Sequence, residues 1–80
     1  MADFIVRIPR VSVAIAEATL IEVLHQEGTH VEEGDPLFVI ETEKVSTEIP
    51  AGASGTVHWT GVVGTVYEIG AEIGVIKTGG

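Results

Sequence analysis

No cysteine occurs in the 80 residues, which removes a disulfide framework, a thiol nucleophile and a thiolate metal site. Positive charge is scarce: four Lys and Arg stand against twelve Asp and Glu, a formal net charge of −8. That balance opposes binding to nucleic acid and to anionic membrane surfaces, and it favours basic partner surfaces. No apolar run approaches the ~18 residues of a membrane-spanning helix. No basic region followed by an apolar stretch opens the chain, so no signal peptide is expected, and the cytoplasm is the expected compartment. Sustained helical periodicity is absent as well.

Glycine is plentiful, with ten in the chain, and the glycines fall between short apolar segments. That pattern predicts many short strands and tight turns. The alternation predicts strands over Phe4 to Ile8, Thr19 to Leu24, His30 and Val31, Leu37 to Glu41, Val45 to Ile49, Thr56 to Thr60, Val66 to Glu68, and Ile73 to Lys77. Arg10 to Glu17 reads as an irregular connection. A single all-β domain over 1–80, with its core at about 4–77, is expected.

The chain also repeats itself. Shifted by 36, Gly28-Thr29-His30-Val31-Glu32-Glu33-Gly34 lies over Gly64-Thr65-Val66-Tyr67-Glu68-Ile69-Gly70, with Gly, Thr, Glu and Gly identical. The same shift lays Leu37 over Ile73, Val39 over Val75, Ile21 over Val57 and Val23 over Trp59. Two similar halves about an approximate two-fold axis are therefore expected. Within this pattern Glu41-Thr42-Glu43-Lys44-Val45 reads as strand, polar turn, strand, with Lys44 at a hairpin tip. The position equivalent to Lys44 is Gly80, at the end of the chain. The repeat thus predicts the Lys44 hairpin at one pole and the termini at the other, an arrangement suited to a carrier domain.

Other chemistry finds little support in the residues. Ser12, Ser46 and Ser54 sit in no nucleophile-elbow context. His25 and His30 are five apart across a turn and do not form a helical ligand pair, so they and His58 read as exposed strand or loop residues, with no metal site. Glu41, Glu43 and Glu48 fit an acidic solvated hairpin better than a glycosidase carboxylate pair. The glycines match neither the phosphate-loop nor the dinucleotide pattern. No catalytic residue is expected.

The stretch Glu41-Thr42-Glu43-Lys44-Val45 closely resembles the lysine hairpin of lipoyl domains, which belong to the acyltransferase components of 2-oxo acid dehydrogenase complexes. The resemblance covers about Ile5 to Ile76, including Glu27 to Leu37 and the Ala53-Ser54-Gly55 segment. It implies a flattened barrel or sandwich of two four-stranded antiparallel sheets with internal pseudo-two-fold symmetry, a barrel-sandwich hybrid. It implies (R)-lipoic acid joined covalently to Lys44 as a swinging arm, with no catalysis by the domain itself. The implied partners are a thiamine-diphosphate-dependent 2-oxo acid decarboxylase, an acyltransferase catalytic domain, an FAD-dependent dihydrolipoyl dehydrogenase and a lipoyl ligase or transferase. Glu41, Thr42, Glu43 and Val45 resemble recognition positions beside the modified lysine, and Gly28 lies in a loop expected near the hairpin. A linker and acyltransferase core would then follow Gly80, and the isolated domain would be monomeric, in a bacterial cytoplasm or a mitochondrial matrix. Two other readings stay open: a biotinyl carrier domain, whose motif has methionine on both sides of the lysine, and an unmodified interaction module of the same shape.

Overall fold

A computed structural model describes residues 2–10, 15–43 and 45–78. It contains eight strands: β1 (Ala2–Arg7), β2 (Glu17–Val23), β3 (His30–Val31), β4 (Pro36–Glu41), β5 (Ser46–Pro50), β6 (Gly55–Trp59), β7 (Val66–Glu68) and β8 (Glu72–Thr78). They form two four-stranded antiparallel sheets, ordered β1-β8-β6-β3 and β5-β4-β2-β7. Each expected strand is present, and most ends differ by one or two residues. Pairing sets the ends: β8, for example, extends to Thr78 because Ala2 lies opposite it.

Side chains alternate across each pleat, and the inward set of both sheets makes one core. Leu20, Val57, Ile73 and Ile76 are fully enclosed, and Val6, Ile8, Val31, Leu37, Phe38 and Ile40 are almost so. Trp59 packs edge-on against Phe38, with ring centroids 6.1 Å apart. Burial of this set is the main force closing the two sheets on each other.

The two halves superpose in topology. Replacing β1, β8, β6 and β3 by β5, β4, β2 and β7 converts one sheet order into the other. The turns repeat bond for bond. Thr29 N–H donates to Gln26 O at 3.1 Å, and Thr65 N–H to Val62 O at 3.2 Å. Asp35 N–H donates to Glu32 O and Ala71 N–H to Glu68 O, each at 3.0 Å. Gly28, Gly34, Gly64 and Gly70 have φ of 80°, 93°, 92° and 90°. That region admits glycine without a Cβ clash, which explains why the glycines recur at this spacing.

One part of the expected register is corrected. The shift of 36 puts Ile21 over Val57, but the structural equivalent of Val57 is Leu20. Leu20 pairs with Ile40 as Val57 pairs with Ile76. The cause is a bulge in β2 between Leu20 and Glu22, which adds Ile21 to that strand. Past the bulge the shift of 36 holds: Val23 faces Phe38 as Trp59 faces Gly74.

Candidate functional site

β4 and β5 bring the acidic segment into a hairpin. Ile40, buried to 1% exposure, and half-buried Thr47 and Ile49 fasten its inner face to the core. Glu41 pairs with Ser46. Beyond that pair Thr42 N–H donates to the Val45 carbonyl at 2.8 Å, and Thr42 Oγ1 approaches the same oxygen at 3.3 Å. The turn is thereby closed before its tip. Glu43 and Val45 flank the tip in sequence and are exposed, Val45 by 54%. Lys44 lies outside the described residues. The other lysine, Lys77, sits in β8 with its ammonium 3.4 Å from Asp3.

The termini are the symmetry equivalent of this turn. Ala2 pairs with Thr78 in one sheet, where Thr42 and Val45 close the hairpin in the other. Both closing pairs stand two residues beyond equivalent buried isoleucines, Ile40 and Ile76.

The structure brings Glu41, Thr42, Glu43 and Val45 together, but it does not bring Gly28 to them. Gly28 N–H donates to Val57 O at 2.8 Å, and Val57 pairs with Ile76 on the strand that runs to Thr78. Gly28 therefore belongs to the half that carries the termini. Its equivalent, Gly64, donates to Leu20 O at 2.7 Å, and Leu20 pairs with Ile40 on the strand that runs to the hairpin. Gly64 is the glycine on the hairpin's side. The repeat contained this signal, since it sets Gly28 over Gly64.

The histidines do not converge. His30 Nε2 is 3.3 Å from Glu32 on the surface. His58 is partly covered: its Nδ1 lies 2.5 Å from Glu27 Oε2. Glu27 Oε1 accepts the Trp59 backbone N–H at 2.7 Å, and Trp59 Nε1–H donates to His25 O at 2.9 Å. The Trp59 bond first, and then His58, holds the Glu27 carboxyl below its usual range. This cluster ties the β2–β3 loop to β6. Among the described residues, no three His, Asp or Glu side chains are placed to hold a metal ion. An open cleft of about 300 Å³ lies between edge strands β1 and β5, and Arg7 is the one charged residue of its largely apolar lining.

The site is thus an exposed, backbone-closed acidic turn on a rigid sheet. It can present a side chain to other proteins, and it encloses no substrate. Comparison with known proteins agrees with that geometry. The family described as biotin-requiring enzyme (Biotin_lipoyl) matches residues 5–76. The chain is 41% identical over 61 residues to the dihydrolipoyllysine-residue acetyltransferase component of the pyruvate dehydrogenase complex of Mycoplasma genitalium, covering 75% of this chain and 16% of that protein. It is 33% identical over 75 residues to the dihydrolipoyllysine-residue succinyltransferase component of the 2-oxoglutarate dehydrogenase complex of Bacillus subtilis, covering 92% of this chain and 18% of that protein. The acetyltransferase component of Mycobacterium tuberculosis is 42% identical over 52 residues, covering 65% of this chain and 9% of that protein. The chain spans less than a fifth of the length of these relatives.

Proposed function

The chain belongs to the family of biotin- and lipoyl-attachment domains, and we propose that this member is a lipoyl carrier whose attachment point is Lys44. The observation that carries the reading is the turn from Glu41 to Val45, closed by Thr42 and Val45 and exposed on both flanks of Lys44. A covalent cofactor of the lipoyl or biotin type is the property of the family. The choice of lipoyl rests on Glu43 and Val45, which stand where a biotinyl hairpin has methionine, and on the acyltransferase relatives.

The residues fit such a group. It needs an accessible amine on a turn that holds one shape, and no pocket of its own. Ile40, Thr47 and Ile49 anchor the turn, while Glu41 and Glu43 give the modifying enzyme a charged, ordered surface to read. When bound, the lipoyl group supplies a disulfide that can be reduced, acylated and reoxidised. The domain's own contribution is proximity: a tether turns encounters between separate active sites into events at high effective concentration.

The proposed setting is a 2-oxo acid dehydrogenase complex. The partners there are a thiamine-diphosphate-dependent decarboxylase, an acyltransferase catalytic domain, an FAD-dependent dihydrolipoyl dehydrogenase and a lipoyl ligase, in a bacterial cytoplasm. The test is an intact mass with fragment mapping of the domain made in cells given both lipoic acid and biotin. An added octanoyl or lipoyl mass on Lys44 is the expected result. A biotin mass would assign the biotinyl reading, and an unmodified Lys44 beside a modified control domain would assign an unmodified interaction module.

A further inference from the structure

The hairpin turn is built differently from the repeated turns. Those at 26–29, 32–35, 62–65 and 68–71 each close from the fourth residue's N–H to the first residue's carbonyl, and each has glycine third, at positive φ. Positive φ at the third position alone is the type II pattern, for which glycine is favoured. Thr42 to Val45 holds no glycine, asparagine or aspartate. Its bond runs the other way, from Thr42 N–H to Val45 O at 2.8 Å, and leaves Glu43 and Lys44 as a two-residue loop. Two-residue hairpin loops favour turns whose first loop residue has positive φ, because those match the twist of the strands. Glu43 does not have it: among the described residues every positive φ belongs to a glycine. The loop therefore lacks the turn chemistry that would hold it closed by itself.

The symmetry shows the consequence. In the other half the pair equivalent to Thr42 and Val45 is Thr78 and Ala2, and both lie within strands, β8 and β1. In the hairpin half β4 ends at Glu41 and β5 begins at Ser46, so the ladder stops one pair earlier. At that place the Thr42 side chain enters. Its Oγ1 lies 3.3 Å from Val45 O, the oxygen that already accepts the Thr42 N–H. Thr42 is half-buried, while Glu41, Glu43 and Val45 are exposed. Its hydroxyl is aimed at the turn's own backbone.

We propose that Thr42 is a positioning residue for attachment at Lys44: its hydroxyl braces a loop that has no glycine and keeps the tip in the one shape that a lipoyl ligase binds. This rests on the carrier reading above and gives Thr42 a part separate from the exposed acidic surface. In the attachment the amine attacks the carbonyl of an acyl adenylate. The new C–N bond replaces the C–O bond to phosphate, AMP leaves and the nitrogen gives up its proton. Thr42 takes no part in those steps. It acts on binding, because a tip that spends less time in the competent shape binds the ligase less tightly by that fraction. The Oγ1 contact is long for a hydroxyl bond, so its loss weakens attachment without abolishing it.

The test is steady-state lipoylation of the unmodified domain, read by mass, with ATP, lipoic acid and a lipoyl ligase active on a control lipoyl domain. Thr42→Val keeps the branched shape without the hydroxyl, Thr42→Ala removes both, and Thr42→Ser keeps the hydroxyl. We expect Thr42→Val and Thr42→Ala to raise KM for the domain about threefold or more with kcat little changed, and Thr42→Ser to stay within about twofold of the wild type. All three should melt within a few degrees of the wild type. In the free domain the Thr42 backbone amide should exchange faster once Thr42→Val or Thr42→Ala is made, and the Ile40 and Thr47 amides should not. A wild-type KM in both hydroxyl-free variants, or a KM raised equally in Thr42→Ser, would overturn the brace. So would a raised KM with unchanged amide exchange, which would mean that the ligase reads the hydroxyl directly. Loss of the folded spectrum would overturn it too, by making Thr42 a residue of the fold itself. A wild-type domain that takes no lipoyl mass would overturn the carrier reading and this proposal with it.

Discussion

Lys44 and Glu27 show how differently single residues enter this protein. On the carrier reading proposed above, what is asked of Lys44 is a reachable amine at the tip of the turn that Thr42 and Val45 close. Arginine keeps the charge and cannot form the same amide, so Lys44→Arg should leave melting unchanged and remove the added lipoyl mass; a lipoyl mass retained at Lys77 would place the site elsewhere. Glu27 works by being engaged. Its carboxylate accepts from Trp59 and His58, so its pKa is lower in the folded chain than in the unfolded one. Such a group stabilises above the ordinary glutamate pKa, and that stabilisation is lost as pH falls through the lowered value. The chain has one tryptophan, so Trp59 fluorescence reports this clamp directly. Between roughly pH 6 and pH 3, Glu27→Gln should lose less thermal stability than the wild type. Equal losses would show that another carboxylate governs the acid limb.

At the level of strands and turns, the fold is held by repeated devices. Gly70 at φ 90° closes the turn before β8, and its N–H donates to Ile8 O at 2.8 Å. Gly70→Val forces a β-branched residue into that region and should cost about 1–2 kcal/mol, read as a fall in the denaturant midpoint; an unchanged midpoint would refute the need for glycine there. Leu20 is fully enclosed, so Leu20→Ala should cost about 2–5 kcal/mol. Its neighbour Ile21 is half-buried in the bulge, and Ile21→Ala should cost clearly less. The reverse order would mean that the register read from the repeat, not the bulged one, is correct.

Taken whole, the molecule is 39 Å long and about half as wide, with equivalent strand pairs on its two sheets. The Thr42–Val45 closure of one half corresponds to the Ala2–Thr78 pair of the other. A circular permutant that joins Thr78 to Ala2 through a short linker and opens at Gly52 to Ser54 should fold to the same eight strands. Its circular dichroism and its amide spectrum away from the new ends should match the wild type, and loss of the folded spectrum would show that the termini must stay open. Symmetry of backbone is combined with asymmetry of surface. One sheet carries the hairpin, the turn with exposed Val62, Val63 and Val66, and only acidic charges on its strands, and the other carries Arg7 and Lys77.

Much of this was written locally in the chain. Alternation gave the eight strands, because a pleated strand exposes every second residue whatever it packs against. The recurrence of Gly28 and Gly34 as Gly64 and Gly70 gave the two-fold relation, because left-handed turn positions demand glycine at fixed spacing. The acidic turn around Lys44 was legible because its neighbours Glu43 and Val45 are themselves the signal. What remained hidden depends on partners distant in sequence. The bulge at Ile21 is invisible to a constant shift, since only pairing with β4 shows that one residue is extra. Gly28 lies away from the hairpin because a loop's pole is set by which sheet receives it. Glu27 could not be joined to Trp59 and His58 from spacing, and the exposure of Val62, Val63 and Val66 emerged only when the core had closed without them.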